Sequence, residues 1–515
     1  MLDRFTTKGK FVLGAILVIA IGFGLWYATN KTNLSKTLAP SKNTSSQTYT
    51  EGPNGEKVVR TSVNTWGGFA GGWLYNKGFK ASTESRFFKE QGIMVDFKLQ
   101  DDFNASRESW KADEVDLLWS TIDCFSIESE ALKEFDPVVL FQVDWSRGGD
   151  AIVVRRGINN VNDLKGKTIA LAPMTPSNTF LVWLLESSNL TYNDIQVIEV
   201  SNALDAAQMF KDGKVDACIC WSPDDQDCVA QVSGSKVLQS TKDASHIIAD
   251  VFIAKRKWVE ANKDVVGKFI KGWFIGSSEV NTSDKAKQEA AQIMSDGVNQ
   301  PLDFCMTAIE NAKITTLGDN VNFFNINGNY SGVTGEQVYA KMTLAYKNLK
   351  YIKNNSLPWK QIAYTYFIKN SDLKGKTQEA ENEPVFTAPT KDMETVEAMS
   401  TKSLTINFAT NSYVLDDNAK YIIDNTFVPI AKGYKNSRVR IEGNTDNTGN
   451  RSRNMELSRQ RAQAVADYLI REHGWNPNRF IIVGNGPDKP VDPSNTNSES
   501  ARSKNRRTDF ELVKN

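Results

Sequence analysis

Short apolar runs alternate with helical stretches from Val58 to Trp221, and this alternation constrains the fold more than any other feature of the sequence. Residues 58–65, 94–99, 115–119, 151–155, 168–172, 195–200 and 215–221 read as strands, with 179–186 and 203–211 among the helices between them. Runs that are apolar on both faces belong in a covered sheet, and strand–helix–strand order makes that sheet parallel, which predicts an α/β fold. Ligands of such sheets sit at the carboxyl ends of strands, where helix N-termini also point. Trp66 follows the first strand, Ser120 and Thr121 close the third, and Thr175, Ser177, Asn178 and Thr179 open a helix. Trp221 and Asp224 end a later strand. Each has a plainer use, as a core indole or a helix cap. Their coincidence at successive strand ends predicts a site for a small polar solute. The helix start favours an anion and Asp224 a cation, so a zwitterion or a neutral heterocycle satisfies both.

Residues 11–28 (FVLGAILVIAIGFGLWYA) carry no charge. At about 1.5 Å per residue they reach about 27 Å, enough for the hydrocarbon core of a bilayer. Arg4, Lys8 and Lys10 precede the run, and Trp26 and Tyr27 close it. Cations stay on the cytoplasmic side. Residues 1–10 are therefore expected to be a cytoplasmic tail and 11–28 a transmembrane anchor. The lipid bilayer becomes a partner, and the bulk of the chain lies in the periplasm or extracytoplasmic space as part of a single-pass protein of the cytoplasmic membrane. A cleaved signal peptide is the competing reading, but the run exceeds a normal h-region and no A-x-A site follows.

Composition divides the remainder. Residues 29–56 are Asn, Thr, Ser, Lys and Gly with almost no large apolar side chain, and 371–400 are polar and charged with two prolines. Both read as linkers, leaving folded regions at 57–370 and 401–515. Lys plus Arg equals Asp plus Glu, 61 against 61, so no global charge draws the chain to nucleic acid. The balance conceals an asymmetry: residues 401–515 hold 18 basic against 13 acidic side chains. Two histidines, His246 and His473, leave little for triad or histidine–metal chemistry. No G-x-x-x-x-G-K-[ST], H-E-x-x-H or G-x-S-x-G occurs, so binding rather than catalysis is expected, with no cofactor and no metal. The five cysteines read as small buried hydrophobes; Cys218 and Cys220, two apart, would share one face of a strand.

The C-terminal region carries the sharpest motif. Residues 403–408, 438–443, 480–484 and 508–512 read as strands, with helices at 417–432 and 451–472, a βαβαβ arrangement. Asn444-Thr445-Asp446-Asn447-Thr448-Gly449 precedes the second helix, on which Asn454, Leu457, Arg461 and Val465 fall on one face. An arginine on that face beside a loop aspartate can hold a zwitterion by both ends. T-D-x-x-G followed by N-x-x-L-S-x-x-R-A-x-x-V, with the late Asn505-Arg506-Arg507, resembles the OmpA-like peptidoglycan-binding domain. The resemblance implies that Asp446 and Arg461 grip the diaminopimelate end of the wall stem peptide, with Asn454 and Arg506 or Arg507 assisting. Thr508 stands where Val or Ile is usual, a departure expected to touch packing.

The middle region resembles periplasmic substrate-binding proteins of the nitrate/sulfonate/thiamine-precursor type through three stretches: G-G-D-A-I-V-V-R (148–155), D-L-K-G-K-T-I-A (163–170) and G-K-V-D-A…W-S-P (213–223). This implies a two-lobed type-2 periplasmic-binding-protein fold that closes on a small molecule, delivering it to an ABC transporter or another inner-membrane complex, or sensing it. A structural wall tether, whose middle domain binds a partner protein and no solute, is the alternative.

Overall fold

The computed structural model describes residues 51–515 except 407, 410, 492, 494 and 495. The tail, the apolar run and most of the first linker expected at 1–50 lie outside the described residues. Among those described, no helix is long and apolar enough to cross a membrane.

The first lobe opens with β1 (Val58–Val63), β2 (Met94–Leu99) and β3 (Leu117–Thr121), then α1 (Ile122–Glu128) and β4 (Pro137–Gln142). β5 (Asp144–Ser146) carries the chain across to the second lobe. That lobe contains β6 (Asp150–Val154), β7 (Thr168–Leu171), α2 (Pro176–Glu186), β8 (Gln196–Glu199), α3 (Ala203–Lys211), β9 (Ala217–Trp221), α4 (Asp224–Gln231) and β10 (Lys236–Ser240). β11 (Asp250–Lys255) returns to the first sheet, followed by α5 (Lys263–Thr282), β12 (Ala312–Ile314) against β5, and α6 (Gly335–Asn348). Sheet order is β2-β1-β3-β11-β4 in the first lobe and β10-β6-β9-β7-β8 in the second. The expected α/β, two-lobed architecture is present.

The sheets are mixed rather than wholly parallel. β11 runs antiparallel to β3 and β4, and β6 antiparallel to β9 and β10. The cause is the double crossing: a strand arriving from the other lobe enters its sheet at the end where the parallel strands finish. Asp150 therefore pairs with Trp221, and Asp250 with Thr121. The first residues of β6 and β11 stand beside the last residues of their parallel neighbours.

The C-terminal fold is a four-stranded sheet ordered β13 (Ser400–Leu404), β16 (Thr508–Val513), β14 (Arg438–Asn444), β15 (Phe480–Gly486). α7 (Arg451–His473) covers it, starting from an Asn450 cap and ending on Gly474 in the left-handed conformation. β13 begins three residues before the expected strand, because Met399 N–H already donates to Leu512 O at 2.8 Å. The helix expected at 417–432 is interrupted by a wider turn at Ile423–Phe427, just ahead of Pro429. Glu499–Asn505 forms a further short helix that strand–helix alternation did not suggest.

Residues 371–400 are not a solvated tether. Gln378, Phe386 and Met399 are buried, and Glu381 pairs with Arg147 at 2.5 Å. Gln378 Nε2 donates to Phe274 O at 3.0 Å, and Arg438 donates to Thr387 O at 2.9 Å. Charge and proline content made the stretch look free; its charges instead meet partners on both folds. The second lobe and the C-terminal fold also bond directly. Val161 N and Gln239 Nε2 each donate to Met399 O at 3.1 Å, and His246 N donates to Gly433 O at 3.1 Å. One apolar core runs through both, including Trp183, Ile247, Ile430 and Tyr434.

Candidate functional site

Four aspartates meet where the lobes join. Asp123 opens α1 just after β3, Asp144 begins β5, Asp150 begins β6 and Asp250 begins β11. All four are buried. Trp66 Nε1 donates to Asp144 Oδ2 at 2.6 Å, and the Asp250 N–H to Asp144 Oδ1 at 3.4 Å. Ser177 Oγ donates to Asp150 Oδ1 at 3.1 Å. Thr179 Oγ1 donates to Asp123 Oδ2 at 2.7 Å and lies 2.8 Å from Tyr346 Oη, a clasp between lobes. Thr121 Oγ1, Asp123 Oδ1 and Trp221 Nε1 are buried without a hydrogen-bond partner among the described residues.

Burial dominates the electrostatics. It pushes the Asp123 and Asp144 carboxyls up to about 6 and Asp150 to about 7, against the hydrogen bonds that work downward. Asp250 is raised well above the usual range, first by burial and then by Asp144 beside it. No cation is among the principal influences on these four. The junction is an uncompensated concentration of negative potential.

Two glycines let the indole of Trp66 reach this place. A Cβ on Gly68 would lie 1.7 Å from Asp144 Oδ2, and one on Gly149 would lie 2.7 Å from the Trp66 ring. Gly149 is therefore the neighbour of Trp66, and the next residue, Asp150, is the register partner of Trp221. The two tryptophans flank one strand start, both half-buried.

The expected solute residues divide. Trp66, Thr121, Ser177, Thr179 and Trp221 surround the aspartates. Ser120 does not: alternation along β3 turns its hydroxyl to Arg107 at 3.2 Å, within the Arg107–Glu128 pair. Thr175 bonds Ala172 O at 2.9 Å, and Asn178 Oδ1 accepts from Met174 N at 3.1 Å, so both shape the loop before α2. Asp224 sits in the first turn of α4 near Lys211, and it is its neighbour Asp225 that is buried. The four junction aspartates escaped sequence reading. Their signal was an Asp at the head of an apolar run, D-A-I-V-V at 150 and D-V-F-I-A at 250.

A second site lies in the C-terminal fold. A cavity of about 60 Å³ is lined by Phe408, Asn444, Arg461, Arg506, Arg507 and Thr508, among others. Arg461 stacks over Phe408, 4.8 Å from the ring centre, and donates to Ser412 O at 3.0 Å. Asp446 Oδ2 accepts from Arg506 at 2.7 Å and Oδ1 accepts from Thr448 N at 3.0 Å. Burial works upward on the Asp446 carboxyl, but Arg506 and Thr448 outweigh it and hold it below its ordinary value. Burial also lowers the Arg461 guanidinium. Asn454 Nδ2 donates to Thr448 O at 2.9 Å, bracing the loop that carries Asp446. Arg507 pairs with Asp509 at 2.9 Å. Thr508 lines the cavity as well as packing. Arg506 is shared between Asp446 and Glu499, the latter at 2.8 Å, so Arg461 is the cavity guanidinium that, among the described residues, no carboxylate pairs, and it can meet an anionic group with an ammonium nearby.

Residues 407–506 match the model of the OmpA family, and residues 75–277 match that described as NMT1/THI5 like. The chain joins an NMT1/THI5-like region to an OmpA-like one. Over 92 residues it is 42% identical to the peptidoglycan-binding protein ArfA of Mycobacterium tuberculosis, covering 18% of this chain and 27% of that protein. It is 38% identical over 81 residues to outer membrane porin F of Pseudomonas aeruginosa, covering 16% and 23%. The chain thus spans only about a quarter of the length of these curated relatives. Among solved structures, the aliphatic sulphonate binding protein SsuA of Escherichia coli is 18% identical, with a TM-score of 0.48 over 65% of this chain and 97% of that one. The nitrate-binding protein NrtA of Synechocystis is 13% identical, with a TM-score of 0.40 over 58% and 92%.

Proposed function

We propose that this chain is a membrane-anchored, extracytoplasmic solute-binding protein that also holds peptidoglycan. Its cleft takes a small polar solute bearing a cationic or strongly hydrogen-bond-donating group. The observation that carries the solute half is the convergence of Asp123, Asp144, Asp150 and Asp250 without a cation. An ammonium or amidinium group would supply the charge these carboxyls lack, with Trp66 and Trp221 offering aromatic faces. Lone buried polar atoms at Thr121, Asp123 and Trp221 would discriminate among close analogues, since each goes unpaired if the solute lacks its counterpart.

In the wall half, Arg461 with Arg506 or Arg507 takes the carboxylate and Asp446 the ammonium of a diaminopimelate stem peptide, while Asn454 braces the loop. Residues 11–28 anchor the chain in the cytoplasmic membrane, and a transporter or other inner-membrane complex receives or reads the bound solute. N-terminal sequencing that begins near residue 29, with the protein in a soluble extracytoplasmic fraction, would refute the anchor alone.

A second reading is a wall tether whose middle domain binds a partner protein. It draws on the Thr179–Asp123 bond, which clasps the lobes through the protein's own side chains. A thermal-shift screen of amines, amino acids, oxyanions and pyrimidines on the purified protein separates the two. A solute at 100 times its Kd stabilises by about 2.7 kcal/mol. Stabilisation by amines and by no oxyanion supports the acidic cleft; no response to any class favours the tether.

A further inference from the structure

Cys218, Cys220 and Cys228 lie apart from both sites, in the second lobe. Cys218 and Cys220 project from one face of β9, and Cys228 comes down from α4 onto them. Their three sulfurs all lie within 4.8 Å of one another, and the Cys218 and Cys220 sulfurs are 3.9 Å apart. All three are fully buried in an apolar nest that includes Val153, Ala170, Ala207 and Phe210. Cys124 and Cys305, also buried, are not part of this group.

We propose that these three cysteines form a trithiolate site for one soft d10 cation, copper(I) in preference to zinc(II). The spacing is that of metal ligands. A metal about 2.3 Å from each of three sulfurs places them about 4.0 Å apart in a planar triangle, which the 3.9 Å pair matches. Disulfide bonding between the two strand cysteines is disfavoured, because positions two apart on a strand are separated by about 6.6 Å, at the far edge of the bridging range. Ligand chemistry selects the ion: an all-sulfur site suits copper(I), zinc or an iron–sulfur centre rather than a hard cation. Zinc in a structural site takes four ligands, whereas among the described residues no His, Asp, Glu or further Cys joins the group. Three sulfurs complete the shell of copper(I).

The setting compensates the charge. Arg155, held by Val215 O at 2.8 Å and stacked 4.7 Å over Phe210, acts on Cys218. Lys211 near Cys228 is offset by Asp227, with which it pairs at 2.9 Å. Arg155 reduces the cost of burying a metal–thiolate group that remains anionic after the thiol protons leave. Occupancy would staple α4 to β9 one residue before Trp221, so the metal would stiffen one wall of the solute cleft.

The test uses the full chain in detergent, reduced and handled under argon. Titration with copper(I) held by bicinchoninate should transfer one equivalent to the protein, with an ultraviolet thiolate-to-copper absorption. C218S, C220S and C228S should each bind at least 100-fold more weakly, while C124S and C305S bind as the parent does. Because a buried Ser can disturb folding, a second readout uses unmutated protein. Copper-loaded chain opened in urea should shield Cys218, Cys220 and Cys228 from alkylation while Cys124 and Cys305 react. No transfer to reduced protein, transfer undiminished in the three variants, or uptake of zinc(II) alone overturns the assignment. So does a disulfide from Cys228 to either strand cysteine that persists in protein isolated under argon.

Discussion

The aspartate junction and the arginine-lined cavity of the C-terminal fold solve opposite electrostatic problems by opposite means. In the C-terminal fold, three guanidiniums line a small cavity, and carboxylates beside it already pair with two of them: Asp446 and Glu499 with Arg506, and Asp509 with Arg507. At the lobe junction, four carboxyls crowd together out of water with hydroxyl, indole and peptide N–H donors but, among the described residues, no cation bonded to them. The first arrangement is largely satisfied in itself. The second stores electrostatic stress that a proton or a cationic guest relieves. A single chain can therefore hold two sites whose responses to pH differ in sign.

The largest expected effect tests the stressed site. Asp150 ionises at 3.8 in an exposed chain and near 7 in the fold. Between those values the folded state holds a proton that the unfolded state has released, so stability falls as pH rises. Buried His246, whose affinity for a proton is lowered well below its ordinary value, works the other way up to about pH 6.5. Comparison with Asp150→Asn cancels it. The variant should gain on the parent by a few kcal/mol between about pH 4 and 7 in urea unfolding. A constant difference across that window removes the stress from the comparison.

Next comes the wall pocket. Arg461→Ala and Asp446→Asn should each weaken binding to purified sacculi by about 1.5–3 kcal/mol, roughly tenfold to 150-fold. Folded variants that sediment with sacculi as well as the parent would break the assignment. Trp66→Ala should cost a cationic solute about 1–2 kcal/mol in calorimetric titration, the price of one aromatic face. Its melting temperature should fall as well, because buried Asp144 loses the indole donor, so affinity is compared on protein that is still folded at the titration temperature. The smallest effect sharpens the boundary of the cleft. Asp224→Ala and Ser120→Ala, both outside the junction, should change solute affinity by less than about 0.5 kcal/mol.

How much of each site could be read from sequence follows from chain geometry. Asp446, Asn454 and Arg461 fall on one loop and its helix, and α7 keeps them in register, so a local pattern suffices. Arg506 joins them from the far end of the same domain. The cleft has no such economy. Asp150 and Asp250 belong to it because β6 and β11 run backwards, and a strand's direction depends on where the chain crosses between lobes, which no local pattern encodes. Strand β2 and helix α3 have the expected limits because apolar periodicity defines them. Ser120 and Thr121 looked equivalent until the pleat sent them to opposite faces. Residues 371–400 misled for another reason: ion pairs such as Glu381–Arg147 stabilise a packed segment whose composition is that of a loose one.

That packed segment has a mechanical consequence. Its first half is fastened to the crossing strand region and to α5, through Glu381 and Gln378, while Met399 at its end is fastened to the second lobe. A pull on the C-terminal fold, of the kind a stretched sacculus would exert, reaches Val161, Gln239 and His246 before it reaches the first lobe. Tension on the wall would load the second lobe against the first, across the Thr179–Asp123 clasp, and turgor would become an input to how firmly the cleft is shut.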